Sequence, residues 1–359
     1  MAIETQNAFL SLVRLGVGAE NGLIESELNK TIDWNSLQAL AEKQGLSAIV
    51  LDGIESLPEQ SRPPKEFLLQ WIGEVLQSES VYAAQWKAAC EMSQVFENNY
   101  IRTYVLKGFI ISECYPKPEH RLSVDLDSFL IPQKGDFDAW ELGNQLMEQE
   151  GFEVDRTFYK HSTIFLPNLS VENHQFMTAV RGSKRLKNLE LLLQSCIRDD
   201  KGENKFEGTH LRRPPVMVTA LFLIEHAYAH FLHEGLTWRM VLDWMMFSTK
   251  HQKEIDWYAL GALIEDFGFR RFYDSFVRLG KYLLGVISEE DLTKLDYKML
   301  ADVWADLDLH EFHGVKGKIA LAGNEIRATW KYHYFSPDTM IGDLFNRVRG
   351  FLFERHPRI

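Results

Sequence analysis

Two aspartates alternate with apolar residues in the run Arg121-Leu122-Ser123-Val124-Asp125-Leu126-Asp127-Ser128-Phe129-Leu130-Ile131. Side chains at i and i+2 of a strand share a face, which sets Asp125 and Asp127 side by side, roughly 6.5–7 Å apart at Cα. Val124, Leu126, Phe129, Leu130 and Ile131 are what a buried strand requires, and two acids in such a strand are costly unless a cation neutralises them. A solvent-facing edge strand with two ordinary acids is the plainer alternative. The apolar flanks and the upstream Lys107-Gly108 turn favour a metal. Glu172, in Ser170-Val171-Glu172-Asn173-His174, is the candidate third acid and shares a face with His174; an exposed acid on a two-sided strand competes with that reading. Carboxylates bind hard divalent ions such as Mg²⁺ or Mn²⁺. Two such ions about 3.5–4 Å apart can clamp the attacking and leaving oxygens of a phosphoryl or nucleotidyl transfer. The Lys107-Gly108 turn can set a cation and a helix N-terminus against a triphosphate, or Lys107 can pair with one of the acids. Arg121 suits phosphate binding or, by the better geometric argument, bidentate bracing of a carboxylate.

These residues need a sheet to hold them. Thr103 to Leu106 is a short β-type run, Phe109 to Cys114 has helix-length spacing, and Tyr115-Pro116-Lys117-Pro118 ends it. The Asp125/Asp127 strand follows, then an amphipathic helix from Asp138 to Glu150 that stops at Gly151. Phe152 to Phe158, Ser162 to Leu166 and Leu169 to Phe176 read as three strands, the last two joined by Pro167-Asn168. The order β-α-β-α-β-β-β describes a small mixed sheet with helices packed on it, and the fold class is α+β.

Both flanks read as helical. Asp33 caps a helix carrying Leu37, Leu40 and Ala41 that stops at Gly45, and Pro63-Pro64 opens a long stripe from Phe67 towards Tyr100. After about residue 183, Arg212-Arg213-Pro214-Pro215 opens a helix to about Glu234, Thr237 caps the next from Trp238 to Ser248, and further segments lie near 257–266, 269–285, 291–303 and 315–331. The expected division is an N-terminal helical segment 1–100, an α/β core 101–180 and a larger helical domain 181–359.

The bulk properties narrow the partners. The 359 residues carry a formal net charge of −12, with 45% hydrophobic and 25% charged residues, which disfavours broad nucleic-acid or anionic-membrane binding. The C-terminal cluster Arg347, Arg349, Arg355, His356 and Arg358 reads as a solvated basic tail. Three separated cysteines without a CxxC pair fit a reducing compartment. The start Met1-Ala2-Ile3-Glu4-Thr5 lacks a signal-peptide pattern, and the apolar window Pro215 to Leu232 is interrupted by Glu225, His226 and His230. A soluble cytoplasmic protein with no membrane span is the expectation.

Taken in order, Leu106-Lys107-Gly108, Tyr115-Pro116, Arg121, Asp125-Leu126-Asp127 and Val171-Glu172-Asn173-His174 resemble the uncharacterised nucleotidyltransferase-like family of the DNA polymerase β-type nucleotidyltransferase superfamily. Glu225-His226-Ala227-Tyr228-Ala229-His230 and Trp238-Arg239-Met240-Val241-Leu242-Asp243 are similar to that family's later helices. The likeness covers roughly residues 100–250. It departs from the superfamily in having Lys107-Gly108-Phe109 where a Gly-Gly or Gly-Ser turn is usual, and Glu172 where Asp is more frequent.

The resemblance implies transfer of a nucleoside monophosphate from an NTP such as ATP to an acceptor hydroxyl or phosphate, with pyrophosphate release. It gives Asp125, Asp127 and Glu172 the metal and catalytic roles, Glu172 also helping to deprotonate the acceptor. Lys107, Gly108, Arg121, His174, Arg239 and Asp243 line the nucleotide side. Read alone, Arg239 and Asp243 at i, i+4 form an intrahelical ion pair. The acidic balance leaves a small molecule, a protein or a short RNA end as acceptor. The competing class is a catalytically degenerate nucleotide-binding or antitoxin-like module. A zinc hydrolase built on His226 and His230 is weaker, because the HExxH order is missing and polar packing onto the sheet explains both residues.

Overall fold

The computed structural model describes residues 2–19, 32–181, 183–305 and 329–345. The basic cluster from Arg347 to Arg358 and most of the 315–331 segment lie outside them. Residues 329–335 of that segment and beyond form a helix, Thr329–Phe335.

Local signals set the N-terminal helices. Asp33 accepts a hydrogen bond from the Ser36 amide and opens α2 (Trp34–Lys43), and Gly45 closes the turn at φ +67°. Helix α1 (Ile3–Gly16) crosses α3 (Ser47–Glu55) backbone to backbone. A Cβ on Gly16 would lie 1.9 Å from the Ile49 carbonyl oxygen, and one on Gly53 would lie 2.1 Å from that of Leu12. Past Pro63-Pro64, α4 (Lys65–Asn98) runs unbroken and buries Trp71, Val75, Ala89, Met92 and Phe96.

The α+β class holds, with one six-stranded mixed sheet among the described residues. Its strands are β1 (Ile101–Val105), β2 (Asp125–Pro132), β3 (Glu153–Asp155), β4 (His161–Leu166), β5 (Leu169–His174) and β6 (Leu211–Arg212), in spatial order β3-β4-β5-β2-β1-β6. The β2–β5 and β1–β6 pairs are parallel and the others antiparallel. Asn168, at φ +61°, makes the β4–β5 turn. Helix α6 (Ala139–Gln149), capped by Asp138, covers one face.

The chain beyond residue 183 is not helical throughout. Leu211–Arg212 adds β6 beside β1, so Arg212 is an edge-strand residue and the next helix starts at Val216. Two residues carry no period, so nothing local announces that strand. The segment Phe109 to Cys114 forms only one helical turn, α5 (Phe109–Ser112), since the prolines that follow stop it.

The later helices are α7 (Lys184–Asp199), α8 (Val216–His233), α9 (Trp238–Lys250), α10 (Trp257–Asp266), α11 (Arg270–Leu283), α12 (Lys294–Ala305) and α13 (Thr329–Phe335), of which α8 meets the sheet through His226 on Lys107 and Phe222 on His174. Thr237 caps α9 by accepting from the Met240 amide. Helix α8 is long and apolar enough to cross a membrane by length and composition, and 67% of it is buried within the protein. Nearly all the buried hydrophobic residues among those described form one cluster that reaches from α1 to α13.

Candidate functional site

The site is a product of strand register. Parallel pairing of β2 with β5 sets Asp125 opposite Ser170, Asp127 opposite Glu172 and Phe129 opposite His174. Alternation then turns Asp125, Asp127, Glu172 and His174 to one face of the two central strands. From the other face, Asn173 is tied to α6: its carbonyl accepts from Trp140 Nε1 at 2.8 Å, and its amide donates to Asn144 Oδ1 at 2.9 Å. Both faces of β5 are thereby fixed.

Asp127, Glu172 and His174 each present a ligand atom within 4.8 Å of the others. Asp127 and His174 are buried, at 1% and 2% exposure, while Asp125 and Glu172 are half-buried. His174 Nδ1 donates to the Phe176 carbonyl at 3.0 Å and Nε2 lies 3.0 Å from Asp127 Oδ1 and 3.5 Å from Glu172 Oε2. Burial opposes charging this ring, but its hydrogen bonds to Asp127 and Glu172 prevail and raise its pKa to about 9. His161, opposite His174 on β4, approaches Glu172 Oε2 at 3.4 Å, and burial lowers its pKa to about 4.

Lys107 follows β1 and is 9% exposed. Its Nζ donates to His226 Nε2 on α8 at 2.9 Å and lies 3.5 Å from Asp127 Oδ2. Burial and then the adjacent ammonium hold His226 well below the usual histidine range, so it accepts as a neutral ring. Burial alone would raise Asp127, but Lys107 and His174 outweigh it and hold that carboxyl well below the usual range. Asp125 is raised by burial and then by Asp127. Gly108 takes φ +72°, ψ −112°, a backbone region that disfavours side chains, and opens the single turn α5.

Arg121 and Asp243 brace the site from behind. Arg121 donates to Asp243 through Nε at 3.1 Å and Nη2 at 2.7 Å, and the Tyr115 hydroxyl donates to the same carboxylate at 2.8 Å. Burial favours the neutral acid, yet the Arg121 pair holds Asp243 below the ordinary carboxylate range. Arg239, one turn earlier on α9, sends Nη1 to the Leu122 carbonyl at 2.9 Å rather than pairing with Asp243. A local i, i+4 contact loses here to a bidentate partner.

Of the histidine pair on α8, His226 meets Lys107 and His230 meets Glu234 Oε2 at 2.8 Å; the metal-capable group among the described residues contains neither. A family model described as an uncharacterised nucleotidyltransferase matches residues 30–285. The chain belongs to that family. No curated protein and no solved structure matches the chain. Membership implies a transferase of the nucleotidyl kind with an NTP as substrate, in agreement with the likeness in its sequence.

A divalent ion fits the residues present at this site. Asp127 Oδ2 is buried without a hydrogen-bond partner, and the Nδ1 proton of His174 is committed to a carbonyl, which leaves Nε2 as the ligand atom once its own proton is lost. His161 and His226 are site residues that linear reading misses or sets aside. The His161–His174 and Lys107–His226 contacts arise from pairing across the sheet and onto α8, for which local spacing holds no signal.

Proposed function

We propose that this chain is a metal-dependent nucleotidyltransferase of the polymerase β type, moving a nucleoside monophosphate from an NTP to an acceptor hydroxyl or phosphate with release of pyrophosphate. The observation that carries this reading is the Asp127–Glu172–His174 cluster beside Asp125, built on adjacent strands, in which the buried Asp127 Oδ2 makes no hydrogen bond and only a 3.5 Å ion contact with Lys107. Asp125, Asp127 and Glu172 would hold Mg²⁺ or Mn²⁺, with His174 beside them. When bound, the ion supplies charge stabilisation at the transferring phosphorus and a template for its oxygens.

The chain's own residues take the remaining roles. Lys107, held by a neutral histidine and a long contact to Asp127, and Arg239, bonded to a carbonyl, are two cations able to turn to triphosphate oxygens. The Gly108 backbone turns the chain away so that Lys107 reaches the site. Arg121 is committed to Asp243 and acts as a brace. Glu172 is engaged by His174 and His161, whereas the Asp125 carboxylate makes no hydrogen bond or ion pair among the described residues. Asp125 is therefore assigned the acceptor proton in place of Glu172.

The test is incubation with Mg²⁺ or Mn²⁺ and each α-³²P NTP, with and without cell extract. Label transfer and pyrophosphate release, both lost in Asp125→Asn and Asp127→Asn, are expected. Tight NTP binding without turnover under any of these conditions would replace the enzyme by a nucleotide-binding module.

A further inference from the structure

We propose that the half-open cavity between α2, α3, α4 and the loop 119–123 is the acceptor site, and that it takes a small hydroxyl-bearing molecule carrying an ammonium group; this rests on the nucleotidyl-transfer reading above. The cavity has a volume of about 460 Å³, within the range of small-molecule sites.

Its wall runs into the catalytic strand. Ser123 lines the cavity two residues before Asp125, so their Cα atoms are at most about 7 Å apart. Ser123 Oγ donates to the Asp125 carbonyl at 3.1 Å, and a Cβ on Gly108 would lie 3.4 Å from the same hydroxyl. Next to Leu122 in the same lining, a Cβ on Gly45 would lie 3.0 Å from Arg239 Nε. Ser123 and Gly45 thus join the cavity wall to Asp125 and Arg239, the residues assigned to the acceptor proton and the triphosphate, which themselves lie just behind its lining.

Its charge selects the occupant. Glu42, Glu74 and Glu119 line it. Glu74 accepts from the neutral amides of Gln38 at 2.7 Å and Gln70 at 3.2 Å, while Glu42 and Glu119 make no hydrogen bond or ion pair among the described residues. Burial and the repulsion of Glu74 raise the Glu42 carboxyl, as two uncompensated acids require. The cations in the wall are spent elsewhere: His120 lies between Asp52 at 2.6 Å and Glu79 at 2.8 Å, and Arg121 is bound to Asp243. Gln85, 4% exposed, gives Nε2 to the Ser123 carbonyl at 3.4 Å and leaves Oε1 without a donor among the described residues. An ammonium between Glu42 and Glu74 and a hydroxyl near Gln85 and Ser123 match these groups, and Glu119 adds to the negative wall. In the transfer, the acceptor oxygen bonds to the α-phosphorus and the bridging α–β P–O bond breaks. Pyrophosphate leaves with that electron pair, and the hydroxyl proton passes to Asp125.

Saturation-transfer NMR on the full chain tests the assignment without requiring turnover. The probes are ethanolamine, serinol and glucosamine against glycerol, glucose and glucuronate at equal concentration. Binding of at least one amine and of none of the uncharged or anionic controls is expected, weakened about 10-fold or more in Glu42→Gln/Glu74→Gln and abolished in Glu42→Lys, which brings its own cation. Thermal melts verify that each variant is folded, and Glu42 is exposed, so its single variants serve if the double variant unfolds. Equal binding of all six probes, no binding of any amine, or amine binding unmoved by these variants would overturn the assignment. Amine binding with no label transfer from any NTP would instead overturn the transfer reading, and with it the acceptor role. Transfer to uncharged alcohols as efficient as to amines would remove the ammonium requirement alone.

Discussion

Asp243→Ala is the perturbation with the clearest magnitude. Arg121 is 2% exposed and Asp243 4%, and two hydrogen bonds at 3.1 and 2.7 Å join them. The truncation strands a buried guanidinium and the Tyr115 hydroxyl together. Breaking a buried pair from one side costs about 3–5 kcal/mol. At about 2.1 cal/mol/K of unfolding entropy per residue, a chain of 359 residues loses about 1.3 °C in Tm per kcal/mol, so a fall of about 4–7 °C is expected in a calorimetric or circular-dichroism melt. The triple variant Arg121→Met/Asp243→Leu/Tyr115→Phe removes every stranded polar group and recovers most of that loss. The pair also sets an acid limb. Because Arg121 holds the folded Asp243 carboxyl below its unfolded value of about 3.9, its contribution is complete above that pH and disappears as pH falls through the lower folded value. Asp243→Ala should therefore flatten the acid side of the stability profile. A loss under about 1 kcal/mol, or a triple variant no more stable than Asp243→Ala, would refute the account of the brace.

Gly53→Ala forces a methyl against the Leu12 carbonyl oxygen, which neither backbone can yield cheaply, and urea unfolding should show a loss of about 1–3 kcal/mol or more. No measurable loss would mean that α1 and α3 do not cross as described. Lys107→Met removes the cation beside Asp127 and the donor to His226; label transfer should fall by about 100-fold or more while far-UV circular dichroism keeps its folded form. Unchanged transfer would remove Lys107 from the site. Gly108→Ala places a side chain at φ +72°, and a melt should show it destabilised by about 1–2 kcal/mol.

Much of the scaffold is legible in the chain because its signals are local. Asp33, Asp138 and Thr237 each cap a helix through a bond to an amide three residues on, a contact that needs no tertiary structure. The alternation around Asp125 and Asp127, and again around Glu172 and His174, marks strands for the same reason. What is not local is not legible. The parallel neighbour relation of β2 and β5 is decided by the whole sheet. The partner of Asp243 is 122 residues away, so spacing points to Arg239 when geometry selects Arg121. Strand β6 is too short to show a period, and its place is set by β1.

The parallel register of β2 and β5 also determines where this protein can change length. A single residue inserted into either strand would carry every second side chain to the opposite face and separate Asp127 from Glu172, with no intermediate arrangement. The connection between the two strands, which contains α6, β3 and β4, returns to the same register whatever its outer turns hold. Insertions at the 156–160 stretch or the Pro167-Asn168 turn should leave the cluster intact, whereas those at 125–132 or 169–174 should abolish it. Length variation would then be all-or-none by location, an indel map with two forbidden windows matching the two central strands.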